Sequence, residues 1–148
     1  MGSGLNNETP GEIDAKGAYA LLGSSSRAQL VDVRSKAEWT FVGVPDIAEL
    51  GKEVLLIEWQ RYPEMEVAPE FVDAVTHELS RIGTGPGDPV LFLCRSGVRS
   101  LAAARAMAAA GWRDCRNILG GFEGPLDPSK HRGSVSGWKV SGLPWIQT

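Results

Sequence analysis

Four apolar residues, Val90-Leu91-Phe92-Leu93, run directly into Cys94-Arg95-Ser96-Gly97-Val98-Arg99-Ser100, and these into an alanine-rich stretch from Leu101 to Ala110. The order reads as a buried strand, a short polar loop and a helix that begins near Ser100. Few folds accept such a unit. A cysteine at that junction sits at the carboxyl end of a strand and faces the N-terminus of the next helix. Unpaired N–H groups and the positive end of the helix dipole converge there. With Arg95 and Arg99 on either side, these surroundings favour a thiolate, the nucleophilic form of the side chain.

The remaining chain repeats the alternation. Glu12-Ile13-Asp14 reads as a short edge strand, with Asp14 as the N-cap of a helix through Ala15–Leu22. Gln29–Val33 is a buried strand. Ser35-x-x-Glu38 has capping-box spacing and opens a short helix carrying Trp39, which Gly43 and Pro45 end. Val54–Ile57 is a third strand, and 58–68 reads as an irregular loop with Trp59 placed to wall a pocket. Pro69 starts a helix to Ile82 with Phe71, Val72, Val75, Leu79 and Ile82 on one stripe. Cys115–Leu119 is a fifth strand, and a Gly/Pro-rich segment follows. Strands alternating with helices specify an α/β class with a parallel sheet covered on both faces. Ligands bind such sheets beyond the carboxyl ends of the strands. Cys94, Asp32 and Arg34 all fall on that rim.

The 148 residues, 43% hydrophobic and 22% charged, are those of a folded chain. Residues 1–10 read as a flexible tail and 11–148 as one domain. The net charge of −3 gives no general attraction to nucleic acid or to an anionic membrane. No apolar run approaches the ~18 residues of a membrane span, and Met1–Pro10 lacks a signal-peptide pattern. Two cysteines make no disulfide framework, so a cytoplasmic, reducing setting is expected. Cys115 reads as a core thiol, with a resolving role as its rival. The two histidines and two cysteines show no zinc spacing, and neither metal nor organic cofactor is expected. His77 and His131 read as solvated, the latter in a surface basic patch with Lys130 and Arg132. Gly83–Gly87 lacks the Gly-Lys-Ser/Thr ending of a phosphate loop.

Two chemistries use a cysteine in a cradle of donors. Gly97 allows a backbone turn that aims N–H groups inward, Ser96 and Ser100 add hydroxyls, and Arg95 and Arg99 guide an anion. In phosphoryl transfer by tyrosine phosphatases the cysteine is followed by five residues and an arginine. Here residue 100 is serine and the arginine is Arg99, one place early. The shorter ring suits a smaller electrophile, the sulfane sulfur of a sulfur donor.

These motifs together resemble a single-domain rhodanese-like sulfurtransferase. Asp32-Val33-Arg34 followed by Glu38-Trp39 matches that family's Asp-x-Arg-x-x-x-Glu-aromatic pattern, and Cys94–Ser100 its active-site loop. Asn117–Gly124, Gly137-Trp138 and Gly142–Trp145 resemble its closing segments. The resemblance implies a three-layer α/β/α rhodanese-like fold with a five-stranded parallel sheet in the order 3-2-4-5-1. It also implies a double displacement through a Cys94 persulfide. The donor would be a small anion, thiosulfate or a persulfide, and the acceptor cyanide or a thiol. Arg95, Ser96, Gly97, Val98, Arg99 and Ser100 would form the substrate-binding loop. Asp32, Arg34 and Glu38 would form structural support, with Arg34 paired to Glu38. The family's Gly-His-Ile-Pro segment is replaced by Val42-Gly43-Val44-Pro45, and 58–68 is long; both bear on the substrate. An alternative in another class is a sulfur carrier or partner-binding module with little turnover on small donors, served by a protein sulfur donor or acceptor, with 58–68 as its contact.

Overall fold

The computed structural model describes residues 9–147; residues 1–8, most of the expected tail, lie outside the described residues. In chain order the elements are β1 (Gly11–Ile13), α1 (Ala15–Ser24), β2 (Gln29–Asp32), α2 (Lys36–Phe41), β3 (Val44–Pro45), a 3-10 turn (Ala48–Leu50), β4 (Leu55–Leu56), β5 (Gln60–Arg61), β6 (Glu66–Val67), α3 (Phe71–Arg81), β7 (Val90–Leu93), α4 (Val98–Ala109), β8 (Cys115–Ile118) and β9 (Trp145–Ile146).

Five strands form one parallel sheet in the order β4-β2-β7-β8-β1. Numbered along the chain, that is the expected 3-2-4-5-1 arrangement. The two central strands are buried at every residue, because both faces are covered. Alternation sorts their side chains. Val31, Val33, Val90 and Phe92 pack with Phe71, Val75 and Leu79 of α3 and Ala103, Ala104 and Met107 of α4. Leu30, Leu91, Leu93 and Ile118 pack with Ala15, Ala18 and Leu22 of α1, and with Phe122 and Trp138. The result is the three-layer α/β/α architecture.

Local signals act where expected. The Asp14 carboxylate accepts from the Gly17 N–H at 2.7 Å, and Ser35 and Glu38 form the complete capping box. Several expected features differ. Helix α3 begins at Phe71, and Ile82 is its exposed C-cap. Helix α4 begins at Val98, two residues early, because Gly97 at φ +119° turns the chain straight into it. Strand β4 is short because it is an edge: beyond Leu56 the chain peels off, although Ile57 and Trp59 still donate to the Asp32 and Val33 carbonyls. Residues 58–68 contain a hairpin, with β5 antiparallel to β6. The C-terminal segment returns to the domain through the antiparallel β3–β9 pair. There the fully buried Trp138 donates its Nε1–H to the Pro144 carbonyl at 2.7 Å.

Candidate active site

The middle strand β7 delivers Cys94 to the carboxyl rim of the sheet, at the mouth of α4. Its Sγ accepts the Gly97 N–H at 3.1 Å and lies 3.2 Å from the Ser100 Oγ. Of the ring of donors expected, the structure gives the sulfur one, the Gly97 N–H of the loop, with the Ser100 hydroxyl in contact from the first turn of α4. Cys94 and Ser100 are buried, Arg95 and Val98 exposed, and Ser96 and Arg99 half-buried. Backbone bonds hold the loop from behind. Phe122 N–H donates to the Cys94 carbonyl at 2.8 Å, and the Glu123 and Gly124 N–H groups to that of Arg95 at 3.0 and 3.1 Å. Gly121 is required for this closeness: at φ +63°, a Cβ there would lie 2.5 Å from the carbonyl oxygens of both Cys94 and Arg95.

Strand β8 contributes Asn117, which the sequence reading passed over except as part of a motif. Its Nδ2 donates to the Gly97 carbonyl at 3.1 Å, which fixes its Oδ1 toward the Ser100 hydroxyl at 2.6 Å. The pair locks both ends of the turn that cradles the sulfur.

Strand β2 ends beside Leu93 and carries the supporting charges, but their pairing differs from the expected one. Arg34 binds Asp32, not Glu38: Nε lies 3.0 and 3.1 Å from the two carboxylate oxygens and Nη2 2.8 Å from Oδ2. Nη2 also donates to the Gly43 carbonyl at 2.6 Å, and the guanidinium lies 4.2 Å above the Phe122 ring. Both side chains are fully buried. A short Asp-x-Arg turn lets the arginine fold back on the carboxylate two residues before it, which leaves Glu38 to another partner.

That partner is Arg99, whose Nη1 and Nη2 grip the two Glu38 oxygens at 2.7 and 2.9 Å. Burial alone would raise the Glu38 carboxyl. The Arg99 hydrogen bonds and charge, with the Ser35 N–H and hydroxyl, override it and hold the group down at about 2. Folded Glu38 thus titrates below its ordinary 4.5, so its contribution is full above that value and is lost as pH falls toward 2. Allowing for its partial exposure, we expect roughly 2 kcal/mol. Acid titration of the Glu38→Gln variant should show a flatter loss of stability below pH 4.5; an unchanged acid limb would contradict the pairing.

The cleft above the loop is open, about 480 Å³, and is lined by Glu38, Arg95, Arg99, Glu123, Arg132 and Met65, among others. Arg132 reaches it from the C-terminal segment, although its sequence context suggested a plain surface patch. Met65 and Gln60 come from the 58–68 hairpin; Trp59 instead stacks edge-on against Phe71 at 4.9 Å, half-buried against the core. Cys115 is remote. The register pairs it with Val90, at the opposite end of the sheet from Cys94, roughly 13 Å away at ~3.3 Å per residue. Burial, with the Asp114 charge, pushes its thiol up to about 12, which leaves it inert and out of reach as a resolving group. Among the described residues no three His, Cys, Asp or Glu side chains gather to hold a metal, and no helix is long and apolar enough to cross a membrane.

Comparison with known proteins places this geometry among relatives. The family model described as the STR4 middle domain matches residues 11–148. An uncharacterized protein of Rickettsia conorii is 37% identical over 128 residues, covering 86% of this chain and 90% of that one. Thiosulfate sulfurtransferase 18 of Arabidopsis thaliana is 31% identical over 134 residues, covering 87% and 90%. Among solved structures, the crystal structure of Rv0390 from M. tuberculosis superposes with a TM-score of 0.82 at 43% identity, covering 93% of this chain and 98% of that one.

Proposed function

The chain belongs to the STR4 middle-domain family of rhodanese-like proteins, and from that premise we propose that it is a sulfurtransferase working through a Cys94 persulfide. The observation that carries the reading is the Cys94 sulfur held between the Gly97 N–H and the Ser100 hydroxyl. A hydrogen bond to a charged group contributes about 1.5–3 kcal/mol, and the Gly97 N–H is placed to give one to a sulfur anion at residue 94.

The same contact serves both half-reactions. In the first, the Cys94 thiolate attacks the sulfane sulfur of thiosulfate. The new S–S bond forms as the old one breaks, sulfite leaves, and Cys94 holds a persulfide anion. In the second, cyanide or an acceptor thiolate attacks the outer sulfur and takes it, with Cys94 leaving as the thiolate. The cradle stabilises the nucleophile of the first step and the leaving group of the second. Arg95, exposed at the mouth and in no ion pair among the described residues, supplies a cation to draw the donor in. Arg99 is occupied by Glu38 and acts chiefly to brace the start of α4.

A mechanism of this kind gives parallel double-reciprocal lines when donor and acceptor are varied together. Thiosulfate, polysulfide and an organic persulfide as donors, each with cyanide and a thiol as acceptors, form the panel that tests it. Turnover with at least one pair, showing such lines, is expected; intersecting lines, or turnover that survives loss of the Cys94 sulfur, would refute the reading. A second reading, a carrier served by a protein partner, draws on Val98, Phe41 and Tyr62, each 77% exposed. It predicts slow exchange with every small donor and fast exchange with one protein.

A further inference from the structure

Arg132 is the one cation of the cleft that comes from outside the cysteine loop and α4. It is carried by the segment between Gly124 and Ser136, and hydrogen bonds centred on Asp127 tie that segment together. The Asp127 carboxylate accepts from the Ser129 N–H at 2.9 Å, the His131 N–H at 2.9 Å and the Ser134 hydroxyl at 2.7 Å. Asp127 N–H donates to the His131 carbonyl at 2.8 Å, and Gly133 N–H to that of Glu123 at 2.7 Å. The Ser134 hydroxyl and the His131 and Ser129 N–H groups together keep the Asp127 carboxylate below its usual range, so the tether stays charged. The loop ends at the cleft, where Arg132 Nη1 donates to the Gly124 carbonyl at 2.9 Å. A guanidinium has five N–H donors, and Arg132 makes no ion pair among the described residues.

The cleft is larger than thiosulfate needs: about 480 Å³, within the ~300–1,000 Å³ range of clefts that take a small organic molecule. Its lining includes Arg132 and Glu123, opposite charges that match the carboxylate and ammonium of an amino-acid-derived thiol. We infer that Arg132 selects the organic sulfur donor at this site by binding a carboxylate that lies beyond the reacting sulfur, with Asp127 as its positioning residue. The inference rests on the sulfur-transfer reading of Cys94. The step it serves is balanced: the Cys94 thiolate bonds to the outer sulfur of R–S–SH, the S–S bond of the donor breaks, and R–SH leaves with the donor's proton.

Two arms test it. In the kinetic arm, kcat/KM is measured for glutathione persulfide and for the uncharged 2-hydroxyethyl persulfide. Loss of one charge-assisted contact should lower the preference for the first roughly tenfold in Arg132→Ala. Arg132→Lys should restore part of it, and Asp127→Asn should mimic the loss. In the binding arm, the unreactive S-methylglutathione and its diethyl ester are titrated into the protein. The free acid should bind more tightly, and Arg132→Ala should erase the difference. Transfer that proceeds with an unchanged donor preference in Arg132→Ala overturns this inference and leaves the sulfur-transfer reading standing. Absence of transfer, with Arg132-dependent binding of the free acid, overturns the sulfur-transfer reading and supports the anion site. No binding difference between acid and ester overturns the site.

Discussion

Replacing Cys94 by alanine is expected to reduce sulfur transfer to background, a loss of at least about three orders of magnitude, with the fold retained. No other group in the site can substitute. Ser100 offers a hydroxyl whose proton is committed to Asn117, and Cys115 lies at the other end of the sheet with its thiol pushed up to about 12. The structural cost is small. Ser100 keeps its bond to Asn117, and the Gly97 N–H alone loses its acceptor, a penalty of about 1–3 kcal/mol. Cys94→Ser keeps an acceptor at that position and should be closer to wild type in stability while equally inactive. Circular dichroism melts beside the turnover assay separate the two effects. Activity remaining in either variant would contradict a covalent role for Cys94.

Asp32→Ala is expected to be the most destabilising of the supporting substitutions, by about 3–5 kcal/mol. Arg34 is fully buried, and Asp32 takes its Nε and shares its Nη2 with Gly43. Without the carboxylate, a buried guanidinium faces one carbonyl and an aromatic ring. For a chain of this size that corresponds to a melting point lower by about 10 °C or more. Because Val33 N–H donates to the Leu93 carbonyl just before Cys94, the loop should loosen and activity should fall as well. Replacing both partners, as Asp32→Leu with Arg34→Met, should recover most of the stability, since well-packed apolar residues often equal a buried pair. A single Asp32→Ala variant that melts like wild type would show the pair to be dispensable.

The central strand, its cysteine and the helix that follows were legible because each carries its own local signal: a continuous apolar run, a turn that needs glycine, and an alanine-rich face. The parallel sheet followed from the alternation, and its order from the resemblance. The pairing of charges was not legible. Asp32, Arg34, Glu38 and Arg99 are compatible with several partnerships in sequence, and only the burial of the first two leaves Glu38 to Arg99. The β3–β9 pair joins residues about a hundred positions apart, with no periodicity to announce it. Arg132 looked like one more surface cation because its meaning depends on a loop that Asp127 folds back onto the cleft. Asn117 was hidden in a strand, where an inward polar residue reads as an exception until its partners are seen.

The most direct measurement is the intact mass of the protein after exposure to thiosulfate or polysulfide, followed by peptide mapping and by discharge with cyanide or a thiol. The account predicts a gain of one sulfur atom, mapped to Cys94, that cyanide or the thiol removes. No gain from any sulfane donor, or a gain that maps to Cys115, would contradict it.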